Sequence, residues 1–269
     1  MLKITYDNHM HSAFSGDSET PMPEMIEAAI KRGLSTITFT DHIDWDFKEQ
    51  PGLFDLDYDA YIPAVKKYQK EYARDIEILL GVELGLQPHL AGRHREFLKT
   101  HEFDYIIGSS HIVHGVDPYY PKFFEGRSER EAYMEYFESV IENLEVFDDF
   151  DSYGHLDYVI RYGPNKDAEF SYKGYSDIID EILKKLIGMD KALEINTGAF
   201  RCGLSHPNPH EDIVRRYLEL GGKYITLGAD AHRTEHIGLN YENLPGILAD
   251  CGVREVAVFK NRRPVLYKL

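Results

Sequence analysis

The length and charge of this sequence narrow both the fold and the partners that the protein can have. The chain has 269 residues, of which 43% are hydrophobic, and this suits one β/α barrel or at most two small domains. Its formal net charge is −16, from 46 acidic and 30 basic residues. Such a surface repels polyanions, so neither a nucleic-acid partner nor an anionic membrane is expected. A small anion could still bind where metal ions reverse the local field.

The cysteines and the N-terminal residues indicate the compartment. Cys202 and Cys251 lie far apart and form neither a disulfide framework nor a zinc knuckle, which is typical of reduced thiols. Residues 1–7 contain no apolar signal-peptide core, and no window approaches the roughly 18 apolar residues of a membrane span. The sequence therefore predicts a cytoplasmic protein, and it leaves both a monomer and a homodimer open.

Short β-like runs alternate with longer helical patterns along the whole chain. The predicted strands are Lys3–Tyr6, Thr36–Thr40, Ile76–Val82, Tyr105–Ser109, Ser152–His155, Ala192–Asn196 and Tyr224–Leu227, with later extended pieces at Val253–Phe259 and Pro264–Tyr267. The predicted helices are Pro23–Arg32, Tyr58–Ala73, Arg93–Thr100, Glu129–Phe147, Ser176–Met189, Glu211–Leu220 and Leu244–Cys251. Ser128 and Glu131 resemble a capping box, while Gly33 and Gly221 fall where helix C-caps are expected. This alternation predicts a parallel sheet, either closed as a barrel or open and doubly wound.

Polar side chains at the predicted strand ends favour the barrel. These residues are His9, His11, His42, Glu83, His111, His155, Asp230 and His232. In a β/α barrel the C-terminal ends of the strands converge on one mouth, whereas an open sheet would spread these positions along an edge. We therefore expect an α/β fold with a single TIM-like barrel domain over residues 1–269.

The same residues predict a metal site. In an extended segment residues i and i+2 point to one side, so His9 with His11, and Asp230 with His232, can each face a common ion. A lone histidine at a strand end is more often a hydrogen-bonded structural group. Six strand ends carrying ligand-type residues are different, because unpaired imidazoles and carboxylates packed together in one barrel mouth would be costly without metal.

The motifs also resemble those of the PHP (polymerase and histidinol phosphatase) superfamily. The matching segments, in chain order, are Asp7–Ser12 with Asp17, Phe39–His42, Gly81–Glu83, Gly108–His111, Gly154–His155 and Gly228–His232. Residues Glu194–Arg201, followed by His206–Pro209, are most similar to the histidinol-phosphate phosphatase branch. The resemblance implies a distorted seven-stranded barrel with two to three divalent transition-metal ions, either zinc, iron or manganese.

Residue by residue, the resemblance implies three ligand sets. The first metal would be held by His9, His11, Glu83 and Asp230, the second by Glu83, His111 and His155, and the third by His42, His232 and Asp17. Many family members have histidine where this chain has Asp17, and a carboxylate there would favour a harder ion or weaken the third site.

Other polar residues near strands five and six are candidates for substrate binding. Arg161 and Arg201 could clamp phosphate oxygens through bidentate hydrogen bonds, although surface arginines paired with acids are the alternative. Asn208 and His206 could line the same pocket, with His206 as a candidate general acid and Asp230 as a catalytic ligand. The remaining histidines are expected to be solvated or structural; they are His89, His94, His101, His114, His210 and His236.

The expected reaction is hydrolysis of a phosphate monoester, most simply histidinol phosphate in histidine biosynthesis, by attack of a metal-activated hydroxide on phosphorus. A nuclease (phosphodiesterase) or phosphotyrosine phosphatase on the same scaffold is a second hypothesis, and the acidic balance disfavours the nuclease. A non-catalytic, metal-binding regulatory module is a third, but no ligand position is missing. Asp44 and Asp46 suggest an aspartate-based phosphatase pair, yet Lys48 breaks that motif. Cys202 has Asn208 where a thiolate phosphatase needs arginine.

Overall fold

The structure is a computed structural model that describes residues 3–269. Met1 and Leu2 lie outside the described residues. Both belong to the expected 1–269 domain and to the N-terminal segment 1–7. The strands are β1 (Tyr6–Met10), β2 (Thr36–Phe39), β3 (His42–Ile43), β4 (Glu77–Gly85), β5 (Tyr105–Ser109), β6 (Ser152–Tyr153), β7 (Ala192–Asn196), β8 (Ile225–Gly228), β9 (Glu255–Lys260) and β10 (Arg263–Lys268). The helices are α1 (Met22–Arg32), α2 (Tyr58–Glu71), α3 (Ala91–Thr100), α4 (Glu129–Val146), α5 (Ser176–Gly188), α6 (Gly198–Arg201), α7 (Glu211–Glu219) and α8 (Leu244–Cys251).

Seven parallel strands form the barrel. Their order is β1-β2-β4-β5-β6-β7-β8, and the short β3 pairs with the C-terminal half of β4. The ring closes where Met10 and Ala231 form a parallel bridge. Beside that bridge the His11 amide donates to the Ala231 carbonyl at 2.8 Å, and the Asp230 amide donates to the His9 carbonyl at 2.8 Å. The predicted seven-stranded barrel is confirmed.

The helices follow their amphipathic patterns closely. Helix α4 begins at the predicted capping box, in which the Ser128 hydroxyl accepts from the Glu131 amide and the Glu131 carboxylate accepts from the Ser128 amide. Helix α1 ends at Gly33, whose φ of 77° is the left-handed conformation that glycine adopts without strain. Each helix buries one apolar face against the barrel, so burial fixes these elements more strongly than helix propensity does.

Most predicted strand bounds shift by one to three residues in the structure, and β1 and β3 differ most from the prediction. The first strand was expected at Lys3–Tyr6, but it occupies Tyr6–Met10. The expectation was wrong because the strand's inward face carries polar groups: Asp7 and His9 are fully buried inside the barrel. Strand β3 was not expected, because it is only two residues long and contains the polar His42.

The β9–β10 hairpin covers the N-terminal end of the barrel. Phe259 stacks on Tyr105, the first residue of β5, with ring centroids 5.4 Å apart. Lys260 pairs with Glu77 at the start of β4, and Arg262 with Asp151 just before β6. Because the hairpin covers the N-terminal end, the C-terminal end of the barrel is the one left open for a functional site. Within residues 3–269, every helix is too short or too polar to cross a bilayer.

Candidate metal centre

The C-terminal ends of the barrel strands bring all nine predicted metal ligands together. They are His9, His11, Asp17, His42, Glu83, His111, His155, Asp230 and His232. His9 lies in β1 and His11 directly follows it, Glu83 lies in β4, and Asp230 lies just after β8. Most of these side chains are buried, and Asp17 is the most open of them, with 41% of its side chain exposed.

Glu83 lies at the centre of the cluster and faces two groups of imidazoles. Its Oε2 atom is 3.1 Å from His9 Nε2 and 3.1 Å from His42 Nδ1. Its Oε1 atom is 3.0 Å from His155 Nε2 and 3.3 Å from His111 Nε2. A carboxylate whose two oxygens point at separate sets of ligands is suited to bridging two cations.

The remaining ligands extend the cluster on either side. Asp230 Oδ1 is 3.5 Å from His11 Nε2 and 3.9 Å from His9 Nε2. On the outer side, Asp17 Oδ2 is 3.0 Å from His232 Nε2 and 3.8 Å from His42 Nε2. Four groups of three residues bring ligand atoms within 4.8 Å of one another. They are His9–His11–Glu83, His9–His155–Asp230, His42–Glu83–His111 and His11–His42–His232. The last group adds His11 to the set expected around a third metal.

The spacing of these atoms fits metal ions. Two nitrogens bound tetrahedrally to zinc, each about 2.0–2.1 Å from it, lie about 3.3 Å apart. The Nε2 atoms of His9 and His11 are 3.1 Å apart, and those of His111 and His155 are 3.4 Å apart. Lone pairs that converge in this way are stabilised by a cation.

Buried side chains behind the predicted ligands fix the orientation of the ligand rings. These supporting side chains were not predicted from the sequence. Glu194 on β7 accepts a hydrogen bond from His9 Nδ1 at 2.6 Å, and Asp44 accepts one from His111 Nδ1 at 2.7 Å. Ser15 lies 3.0 Å from His11 Nδ1 and donates to a buried aspartate. Each contact turns the other ring nitrogen toward the cluster, as is usual for metal-bound histidines. Glu194 is the one charged residue in the strand Ala192–Asn196, and that signal could have revealed it.

The cluster shifts the pKa values of its members. Burial alone would lower the pKa of His9, but the carboxylates of Glu194, Glu83 and Asp230 raise it well above its usual value. Burial alone would raise the pKa of Glu83, and the surrounding histidines hold it well below the usual range instead. His11 has a strongly lowered pKa, because of burial and the neighbouring His232 and His42. Opposite shifts on adjacent groups mark a site that concentrates charge.

A cleft of about 560 Å³ opens over the cluster. Arg161 and Arg201 line it beside Asp230. The buried Arg161 guanidinium donates to Asp230 Oδ2 and to Asn196 Oδ1, both at 2.9 Å. Arg201 is half-buried and donates to the Asp230 carbonyl at 3.0 Å. The cleft therefore combines converging metal ligands with two guanidinium groups, which is an arrangement suited to a phosphate.

The other two predicted pocket residues lie behind its wall. Asn208 is fully buried, where it accepts from Arg161 Nε at 2.7 Å and donates to Asp157 at 2.5 Å. Asn208 therefore acts on the cleft indirectly, by holding the Arg161 side chain. His206 is buried with Nδ1 2.7 Å from the Pro207 carbonyl, and the structure does not bring it into the cleft lining.

Four of the six histidines expected to be solvated or structural make their contacts outside the cluster. His94 is buried and stacks on Trp45 with ring centroids 4.9 Å apart. His89 and His114 pair with acidic side chains at the surface. His101 stacks on Phe97, outside the barrel.

Comparison with known proteins agrees with this geometry. Residues 7–198 match the PHP domain. A probable histidinol-phosphatase of Clostridium acetobutylicum is 34% identical over 257 residues, which cover 94% of this chain and 96% of the relative. The histidinol-phosphatase of Lactococcus lactis subsp. lactis is 33% identical over 268 residues, covering 98% and 96%.

A solved structure is similar over nearly the whole chain. The crystal structure of histidinol phosphate phosphatase from Lactococcus lactis, complexed with zinc, L-histidinol and phosphate, superposes with a TM-score of 0.89 at 31% identity. The match covers 97% of this chain and 98% of that one. With the family match spanning most of the barrel, this protein belongs to the PHP domain family.

Proposed function

We propose that this protein is a metal-dependent phosphomonoesterase that hydrolyses histidinol phosphate to histidinol and phosphate. The observation that carries the proposal is Glu83, whose two oxygens face separate histidine pairs at the floor of an arginine-lined cleft. Two relatives of at least 33% identity are named histidinol-phosphatases, and they support the choice of substrate. The structure bound to zinc, L-histidinol and phosphate supports it as well.

Two to three divalent transition-metal ions, zinc, iron or manganese, are proposed for the cluster. His9, His11, Glu83 and Asp230 would hold the first, and Glu83 with His111 and His155 the second. His42, His232 and Asp17 would hold the third, at the solvent side. When bound, such ions supply a nucleophile at neutral pH and positive charge for the phosphoryl oxygens.

The chain's own residues bind and orient the ester. Arg161 uses three of its five N–H donors on protein groups, which leaves two for a phosphate oxygen. Arg201 makes a single hydrogen bond to the Asp230 backbone, so its fork remains available for a bidentate contact. Asp230 is held by Arg161 on one oxygen and faces His11 with the other, which fixes its orientation as a catalytic ligand. Its backbone φ of 54° is strained for a non-glycine residue, a feature common at functional sites.

The test of this function is turnover on a substrate panel with metal content measured in parallel. Histidinol phosphate, phosphotyrosine and a phosphodiester should be compared on the metal-loaded protein and after chelation. We expect fast release of phosphate from histidinol phosphate, loss of turnover in the metal-free protein and recovery on adding metal back. Full activity in a verified metal-free sample would refute the metal-dependent reaction.

Arg201→Ala tests the phosphate contact separately from the metals. A bidentate, charge-assisted contact contributes roughly 1.5–3 kcal/mol, or about ten- to hundredfold in kcat/KM. The loss should be steeper for the dianionic monoester than for a diester, while metal content stays unchanged. Arg215→Ala, at a surface arginine paired with Asp212, is the matched control. Unchanged monoester turnover in Arg201→Ala would show that the phosphate lies elsewhere.

A further inference from the structure

Four carboxylates line the cleft, and three of them have a cationic or metal-ligand partner. The partners are His232 for Asp17, His111 for Asp44 and Arg161 for Asp230. The fourth carboxylate, Asp117, is 8% exposed, and no lysine, arginine or histidine of residues 3–269 forms an ion pair with it. It accepts only from the Tyr119 amide at 2.8 Å and from the Tyr158 hydroxyl at 3.4 Å. Buried carboxylates are ordinarily paired with a cation.

Tyr158 lies between Asp117 and the candidate metal centre. The Tyr158 ring centroid is 5.2 Å from the rings of both His111 and His155, and its hydroxyl reaches the Asp117 carboxylate. One phenol side chain therefore separates the metal ligands from Asp117. Asp117, His111 and His155 all line the same cleft, so a small molecule bound there can face both the cluster and Asp117.

The surroundings of Asp117 favour a positive charge. Burial is the main reason that its pKa is raised to about 6; the Tyr119 amide and His111 oppose this rise, and Asp44 and Glu49 add to it, so the carboxylate is mostly ionised at neutral pH. Glu49 is itself paired with Lys122 at 2.7 Å, which leaves Asp117 as the acid without a partner. Tyr119 and Tyr162 also line the cleft, and aromatic rings of this kind attract cations.

We propose that Asp117 is the substrate's ammonium-binding residue, which makes the enzyme selective for phosphate esters that carry an amino group close to the ester oxygen. This inference rests on the proposed function and deepens it. Histidinol phosphate carries its amino group on the carbon next to the one that bears the phosphate ester. An ester with its phosphate at the arginines and metal ligands and its ammonium at Asp117 would match the charge at both places.

The test compares two esters that differ only in the amino group. Histidinol phosphate and its deaminated analogue, imidazolylpropyl phosphate, are assayed on the metal-loaded wild type and on Asp117→Asn. A charge-assisted hydrogen bond predicts a wild-type preference of about ten- to hundredfold in kcat/KM for the amino ester. Asp117→Asn should reduce that preference to about one, chiefly by slowing the amino ester, and Asp117→Glu should restore part of it.

Binding of the product gives a second readout that needs no turnover. L-Histidinol should raise the melting temperature of the wild type, and this shift should disappear in Asp117→Asn. Asp46→Asn is the matched control, because Asp46 is exposed and pairs with His89 at the surface; it should keep both the preference and the shift. Retention of the amino preference in Asp117→Asn, with metal content equal to wild type, would overturn the proposal.

Failure of the proposed function would look different. If the wild type hydrolyses neither imidazole ester but does hydrolyse other monoesters, histidinol phosphate is not the substrate. Phosphoethanolamine and ethyl phosphate, which also differ only in an amino group, are then compared in place of the two imidazole esters. Loss of the amino preference in Asp117→Asn with this pair supports the subsite, and equal ratios in wild type and variant refute it.

Discussion

Glu194→Gln provides a direct test of how the metal ligands are held in place. The two oxygens of Glu194 accept from different donors: Oε1 from His9 Nδ1 at 2.6 Å, and Oε2 from the His155 amide at 2.9 Å and Asn196 Nδ2 at 3.0 Å. Both positions need an acceptor. A glutamine side chain has only one acceptor oxygen, so either orientation of its amide places an N–H group against a buried donor.

The structure sets the size of the effect. Glu194 is fully buried, and its pKa is lowered, against the effect of burial, chiefly by His9, so the wild-type contact is charge-assisted. Losing such a contact and leaving a buried donor unpaired each cost roughly 1–3 kcal/mol. Second-sphere carboxylates of this kind are worth about 10–100-fold in metal affinity. We therefore expect metal to bind at least tenfold more weakly, while the fold is retained because the side chain keeps its volume.

Competition with a chelator, followed by elemental analysis, measures the affinity, and phosphate release measures the accompanying loss of kcat. Glu138→Gln, at an exposed position of α4, controls for the loss of one negative charge. Metal affinity and kcat within twofold of wild type in Glu194→Gln would refute the idea that this carboxylate orients His9.

Three further changes test other parts of the structure. Glu83→Ala should lower kcat by several orders of magnitude and reduce metal content, while the protein stays folded. His101→Ala should change kcat by less than about tenfold. Equal losses of kcat in the two variants would show that the division of the histidines into ligands and structural residues is wrong. Gly228→Ala would place a methyl group 2.5 Å from Glu194 Oε1 and against the His9 side chain, so metal content should fall. Gly246→Ala, on α8 where a methyl group meets open space, should leave metal content unchanged. Burial lowers the pKa of His94 to about 4, so below pH 6.5 the unfolded chain binds a proton that the folded chain excludes. Unfolding measured against pH should show a loss of up to about 3 kcal/mol between pH 6.5 and 4, and His94→Phe should remove this component.

The fold was predictable from sequence because its signals are local and repeated. The patterns at Tyr105–Ser109, Ala192–Asn196 and Leu244–Cys251 agree with the structure residue for residue. Apolar periodicity reports which face packs against a core, and these elements have an apolar packing face. Strand β1 breaks that rule, because three of its four buried residues, Asp7, Asn8 and His9, are polar.

The ligands of the candidate site were predictable for a different reason. Convergence of strand ends is a property of the barrel, so a polar residue at each end is enough to place it near the others. The supporting residues lack such a rule. Asp44 was considered only as half of an aspartate pair, yet it holds His111 from a neighbouring loop. The contact of Asn208 with Arg161 depends on how two loops fold over each other, which no spacing along the chain encodes.

The bridge between Met10 and Ala231 closes the barrel at a seam between β1 and β8, and the metal ligands lie on both sides of it. His9 and His11 belong to one edge, and Asp230 and His232 to the other. A cation held by ligands on both edges would tie together the two barrel strands that are most distant in the chain, and its binding would stabilise the closed ring. Removing metal should lower the hydrogen-exchange protection of the His11 and Asp230 amides, which bond across the seam, before that of β4 and β5. Metal binding and local opening of this barrel would then be coupled in a single equilibrium.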